Sequence, residues 1–371
     1  MKAKSTLIQA LIFTVFIGAF FVLHLALPDR DFSERENRVL QTAPRFTLSA
    51  LFSGRFSSQA EDYVSDQFPF RDGWITLKAR GELLSGKDEN NGIFLCENET
   101  LIEPFSAPED TRWTSGIAGI NALARTAGAP VWFALIPTAS EIWADKLPAG
   151  APNDSQRDFI ALAYSAAECE TVDMASVLSA HAAEPVFYRT DHHWTTLGAY
   201  YGYTALARAM GFSPVPLNAY TEKMVTDSFY GTAWSSSGFS WTAPDAMRTY
   251  VEQGNARITN YPQGEAMEGS LYEESFLAKK DKYSYFYGGN TPRLVVETGS
   301  PGPKLLILRD SYMDSLSPFL FPHFSEIHIL DLRYYRAGLY GYLSEQDFDA
   351  VLVCYSVKNF AEDTALSLLD A

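Results

Sequence analysis

Hydrophobic residues follow three regimes along this chain. From Leu7 to Leu27 they form an unbroken run with no Asp, Glu, Lys or Arg. Over residues 28–90 the sequence is charged. There Phe52, Phe56, Ala60, Tyr63 and Val64 fall near helical spacing until Phe68-Pro69-Phe70 interrupts them. This predicts a helical arm laying one apolar stripe on a main domain. From Asn91 onward, short apolar runs alternate with helical patterns.

NGIFLCENETLIE predicts a hairpin, TRWTSGIAGINALARTAG an amphipathic helix, PVWFALIPTASEIW a buried strand running into a loop, residues 158–167 a helix, and TVDMASVLSAH a short strand. KLLIL, EIHIL and AVLVC read as three further buried strands. Residues 212–303 are rich in Gly, Ser and aromatics, with hairpins expected at RTYVEQGNARITNY and YSYFYGGNTPRLVVET. Apolar runs alternating with helices predict an α/β fold, a parallel sheet covered on both faces with an antiparallel insertion over about 212–303.

Leu7–Leu27 reaches about 30 Å as a helix, the thickness of a bilayer core. Lys2 and Lys4 precede it, which predicts a cytoplasmic N-terminus (1–6), a single-pass anchor (7–27) and an extracytoplasmic body in the cell membrane. A cleaved signal peptide is the alternative, but the run is long and no A-x-A site follows. The net charge of −16 argues against nucleic acid. Cys96, Cys169 and Cys354 are widely spaced, with no zinc or C-x-x-C pattern, and allow at most one disulfide.

Of six histidines, two stand together in Asp191-His192-His193-Trp194, directly before a predicted helix. In an extended segment Asp191 and His193 project to one side and His192 to the other. Ser311 follows the strand KLLIL, at the rim where such sheets bind ligands, with backbone N–H groups placed to hold an oxyanion. A serine attacks only when a base takes its proton and a third group fixes that base, so Ser311, His193 and Asp191 make a candidate triad. Read alone, Ser311 is a helix cap and the Asp-His segment a polar helix entry with Thr195 or Thr196 capping. Trp194 reads as packing. Asp-His-His also occurs in manganese phosphoesterases. Here, however, YRT rather than a hydrophobic strand precedes it, and His323 and His328 lie on another element, so no metal is expected.

The Asp-x-His block before a helix resembles the catalytic block of the SGNH hydrolase superfamily, and Asp310-Ser311-Tyr312 resembles its nucleophile block. Ordinary members carry the serine first. The inverted order here resembles the SGNH-like domains of alginate O-acetyltransferases and the DHHW protein family, as do FSERENRVL, DQFPFRDGW, NGIFL and LIPTASEIWADKLP. The resemblance implies a flavodoxin-like domain over 91–371, with Ser311 as nucleophile, His193 as base and Asp191 as orienter. It also implies a cell-surface polysaccharide acceptor, no cofactor, and an acyl donor delivered by a multi-span membrane acyltransferase. An esterase with the same triad, or an inactive glycan-binding protein, are the alternatives. Arg309 stands where a glycine often precedes Asp-Ser, and no clear block supplies a second oxyanion donor. Tyr312, Asn359 and Gly231 are the candidates for substrate contact, the last two for that donor.

Overall fold

Residues 2–109 and 111–370 are described by a computed structural model. They divide into two units: residues up to Lys87 with Gly238–Ser240, and the remainder.

In the first unit the apolar run forms helix α1 (Lys2–Ala26), and Thr6–Ala26 is long and apolar enough to cross a membrane. A signal sequence has the same composition. A two-stranded ribbon, Phe32–Ser33 with Arg38–Val39, precedes α2 (Arg55–Asp66) and α3 (Arg71–Leu84). The expected apolar stripe is not a buried face, for Phe52 is 86% and Val64 49% exposed. Its helical register breaks because Phe52 ends a separate short helix, and Gly54 turns the chain at φ 77° before α2 begins.

The second unit is built on an eight-stranded sheet. Its strands are β1 (Val131–Ile136), β2 (Glu170–Val172), β3 (Arg257–Asn260), β4 (Met267–Gly269), β5 (Arg293–Glu297), β6 (Lys304–Arg309), β7 (Glu326–Leu330) and β8 (Ala350–Ser356). Their order is β4-β3-β5-β7-β6-β8-β1-β2. The five from β7 to β2 pair in parallel, and β4, β3 and β5 extend one edge antiparallel. The parallel strands are apolar throughout because both faces are covered. Leu305 and Ile307 face one core, with Tyr203 and Leu206 of α7 (Thr196–Met210). Leu306 and Leu308 face the other, with Ile120 of α4 (Arg112–Thr126) and Phe159 of α5 (Gln156–Ser165).

The hairpin at 93–102 forms as expected, joined by Glu89–Asn90 as a third strand. Three readings need correction. TVDMASVLSAH is strand only to Val172. The Asp173 side chain then accepts from Ser176 N–H and starts α6 (Met174–Ala180). RTYVEQGNARITNY is not a hairpin: Asp245–Thr249 pairs with Lys223–Phe229, whereas Arg257–Asn260 is β3 of the main sheet. In the third, Tyr283–Tyr285 is a 3-10 turn and only RLVVE is a strand, pairing with β3 and β7. The insertion therefore adds three strands to the main sheet and forms a separate two-stranded ribbon from Lys223–Phe229 and Asp245–Thr249. The three cysteines are free thiols.

Candidate active site

The end of β6 and the loop between α6 and α7 bring the predicted residues together. Ser311 leaves β6 in a tight turn and precedes the short helix α8 (Met313–Leu316). Asp310 sets this turn. Its Oδ1 accepts Tyr312 N–H at 3.0 Å, and its Oδ2 accepts Ser356 N–H at 2.8 Å and Asn359 Nδ2 at 2.7 Å. One buried carboxylate thus ties the end of β6 to the start of α9 (Val357–Glu362), which follows β8. Ser311 caps nothing. Its Oγ lies 2.7 Å from His193 Nε2, and its N–H has no partner among the described residues.

His193 Nδ1 is 2.6 Å from Asp191 Oδ1, and the same oxygen accepts His193 N–H at 2.9 Å. With the Nδ1 proton donated to the carboxylate, Nε2 is left to accept from the Ser311 hydroxyl. Asp191 Oδ2 accepts Thr232 N–H at 2.7 Å and Thr232 Oγ1–H at 3.1 Å. Burial opposes charge on Asp191. The two adjacent imidazoles and these donors outweigh it, holding the carboxyl well below the usual carboxylate range.

Asp191 Oδ1 thus takes hydrogen bonds from both the ring and the backbone of His193, and the segment is bent there, not extended. That corrects the expectation for His192, which does not point away. Its ring lies 3.8 Å from that of His193, and its Nδ1 donates to Thr232 Oγ1 at 2.6 Å. Desolvation, then repulsion from His193, lowers its pKa to about 4. Trp194 is packing, as read: it is fully buried and donates to Tyr312 O and Ser315 Oγ, each at 3.0 Å. Thr195 caps α7.

Gly231 takes a different place from the expected one. Its N–H donates to Thr190 Oγ1 at 3.2 Å, so it is not spare for an oxyanion, and its backbone lies against Asp191. The Tyr312 hydroxyl donates to His192 O. Asn359 keeps one amide hydrogen beyond its bond to Asp310. A cavity of about 440 Å³ has Asp191, His192, Thr232, Tyr312, Lys358 and Asn359 in its wall.

Sequence reading missed three contributors. Tyr283 stacks on His193 with centroids 3.8 Å apart and planes 7° apart, and its hydroxyl donates to Ser311 O at 3.3 Å. Thr232 holds both Asp191 and His192. Asp245 accepts from Thr190 N–H and Oγ1–H, anchoring the chain just before Asp191. All three come from the insertion, whose folding back no local pattern announces. The ligand atoms of Asp191, His192 and His193 lie within 4.8 Å of one another, close enough to share an ion, but each residue is committed to the hydrogen bonds above.

A family model for DHHW proteins matches residues 113–330. The chain belongs to that family. Among solved structures, it is similar to a DHHW family protein from Eubacterium siraeum (24% identity, TM-score 0.68), covering 76% of this chain and 95% of that one. It is also similar to Bacillus cereus PatB1 carrying a sulfonyl adduct (19% identity, TM-score 0.63), covering 74% and 97%. These share the fold: a large, mostly parallel central sheet flanked by helices. A curated relative, the probable alginate O-acetylase AlgJ of Pseudomonas putida, is 24% identical over 204 residues, 51% of this chain. The chain spans about half the length of that relative, 52%.

Proposed function

We propose that this protein is a membrane-anchored, extracytoplasmic O-acyltransferase that moves an acyl group, in our reading acetyl, onto a cell-surface polysaccharide. The observation carrying this is the hydrogen-bonded series Ser311–His193–Asp191. His193 Nε2 takes the Ser311 proton as Oγ attacks the acyl carbonyl. The Ser311 N–H is free to meet the oxyanion, and the remaining amide hydrogen of Asn359 is the proposed second donor. On collapse, His193 returns the proton to the leaving group of the donor. It then deprotonates a sugar hydroxyl, which takes the acyl group and frees Ser311. In this reading the donor arrives through a multi-span membrane acyltransferase, α1 holds the chain in the membrane, and Lys2 and Lys4 keep its N-terminus inside. The names of the AlgJ relatives support a polysaccharide acceptor.

Purified protein should release nitrophenol from nitrophenyl acetate. Ser311→Ala and His193→Ala should each lose most of this turnover, and the double variant little more, because such groups act as a unit. An added oligosaccharide acceptor separates two outcomes. Acetylated sugar supports transfer, and free acetate alone assigns the protein as an esterase. A Ser311→Ala variant with wild-type turnover refutes the triad.

A further inference from the structure

The Phe68-Pro69-Phe70 turn and the start of α3 run back along α1. His24 faces the Tyr63 ring at 5.5 Å. Phe20 stacks on Phe68, centroids 5.3 Å apart and planes 4° apart. Trp74 meets Phe20 edge-on at 5.7 Å and Phe16 at 6.2 Å. As the chain proceeds from Tyr63 through Phe68 to Trp74, it therefore descends α1 from residue 24 to residue 16. Phe16 is the midpoint of Thr6–Ala26, and Phe20 lies only about 6 Å of helix rise beyond it.

A bilayer core of roughly 30 Å takes about 20 helical residues. The apolar run has 21, leaving none to stand clear of the membrane. Whatever packs on Phe16 and Phe20 then lies at hydrocarbon depth. The segment suits that depth: Phe70 is 66% exposed and Leu77 58%. Phe70 also holds φ at 60°, a left-handed conformation unfavourable for a bulky residue. The neighbouring charges are paired, Arg71 with Glu36 and Arg30 with Asp72.

We infer that residues 68–77 dip into the exported leaflet beside α1, their partner being lipid acyl chains. This rests on α1 being a membrane anchor. The full chain, reconstituted alone into phosphatidylcholine vesicles, tests both points. Flotation reports anchoring. The Trp74 emission, taken as wild type minus Trp74→Phe, should fall at least twofold with lipids brominated mid-chain and stay unchanged with aqueous iodide. Quenching by iodide in floating vesicles overturns the inference while sparing the anchor. Quenching by neither agent also overturns it, leaving Trp74 shielded by protein. Failure to float overturns the anchor and the inference together. Phe70→Trp in the Trp74→Phe background repeats the depth reading should the first variant fold poorly, and the same outcomes decide it.

Discussion

Gly231 sits so close to Asp191 that no side chain fits between them: a Cβ built on the glycine falls 2.2 Å from both the Asp191 Cβ and its Oδ2. The next residue, Thr232, supplies two of that carboxylate's hydrogen bonds. Gly231→Ala should displace Asp191, misorient His193 and cut ester turnover by about 10²-fold, with about 1–3 kcal/mol lost from stability. Thr232→Ser, which keeps both donors, should stay near wild type. Paired kinetics and urea unfolding decide the matter, and a fully active Gly231→Ala removes the close contact from the mechanism.

His192 predicts an acid-sensitive fold. Its pKa is lowered to about 4 in the native state, against about 6.5 unfolded. Between these values the unfolded chain binds more protons, so stability is complete above pH 6.5 and falls as pH drops towards 4. The side chain lines a concave wall yet is 38% exposed, so solvent screening reduces the effect to about 1 kcal/mol. Asp191, also lowered, adds a further loss below the ordinary carboxylate range. His323 and His328 shift the same way as His192, so the measurement is the difference between wild type and His192→Asn. The variant should show a flatter decline of urea-unfolding free energy over that window, and an unchanged slope would clear His192.

What the sequence made legible was local. The parallel strands announced themselves as apolar runs because both faces are buried, and Asp191-His193 and Ser311 stood out by residue type beside predicted elements. Less visible was anything set by long-range pairing. Nothing in RTYVEQGNARITNY says that its halves join different sheets, since register depends on partners far along the chain. Tyr283, Thr232 and Asp245 are ordinary residues until the insertion folds onto Ser311 and Asp191. His192 departs from the extended-strand expectation because the chain is bent at 191–193, which brings its ring beside that of His193.

Arg309 ends β6 directly before the Asp310-Ser311 turn. It is fully buried, 3.0 Å from Asp314 across the Ser311 turn. Burial pushes the Asp314 carboxyl up to about 7, with Arg309 drawing it back. Without Arg309 the Asp314 carboxyl is pushed further up and stays protonated, a buried polar group that has lost its partner, so Arg309→Met should cost about 1–3 kcal/mol. Arg309→Met with Asp314→Leu should recover most of it, since an apolar pair is often as stable as a buried ionic one. Equal losses in the single and double variants would show that Arg309 contributes through packing.

Chelation should leave turnover intact. Asp191 is hydrogen-bonded to His193, and both His193 nitrogens are engaged, so an ion shared with His192 would compete with the proposed mechanism. Dialysis against EDTA followed by ester assays tests this. Activity lost on dialysis and restored by manganese would move the site to metal chemistry.

Under the proposed transfer reaction, the charge around the cavity predicts which acceptors are preferred. Glu103, Glu362 and Asp191 are in its lining against one cation, Lys358, whose ammonium is 2.5 Å from Glu103 Oε1. A polyuronate such as alginate, for which the AlgJ relatives are named, would bring carboxylates to a wall whose cation is already paired. Each unscreened like-charge contact costs on the order of 1 kcal/mol, so an uncharged oligosaccharide should outcompete an oligouronate of equal length by about tenfold. High salt should narrow the gap. Glu103→Gln, which releases Lys358, should improve use of the uronate and leave the uncharged acceptor nearly unaffected. Mass spectrometry of the acetylated products from a mixed acceptor pool reads the ratio directly. A wild-type preference for the uronate would mean that acceptors bind away from this cavity, leaving the triad itself untouched.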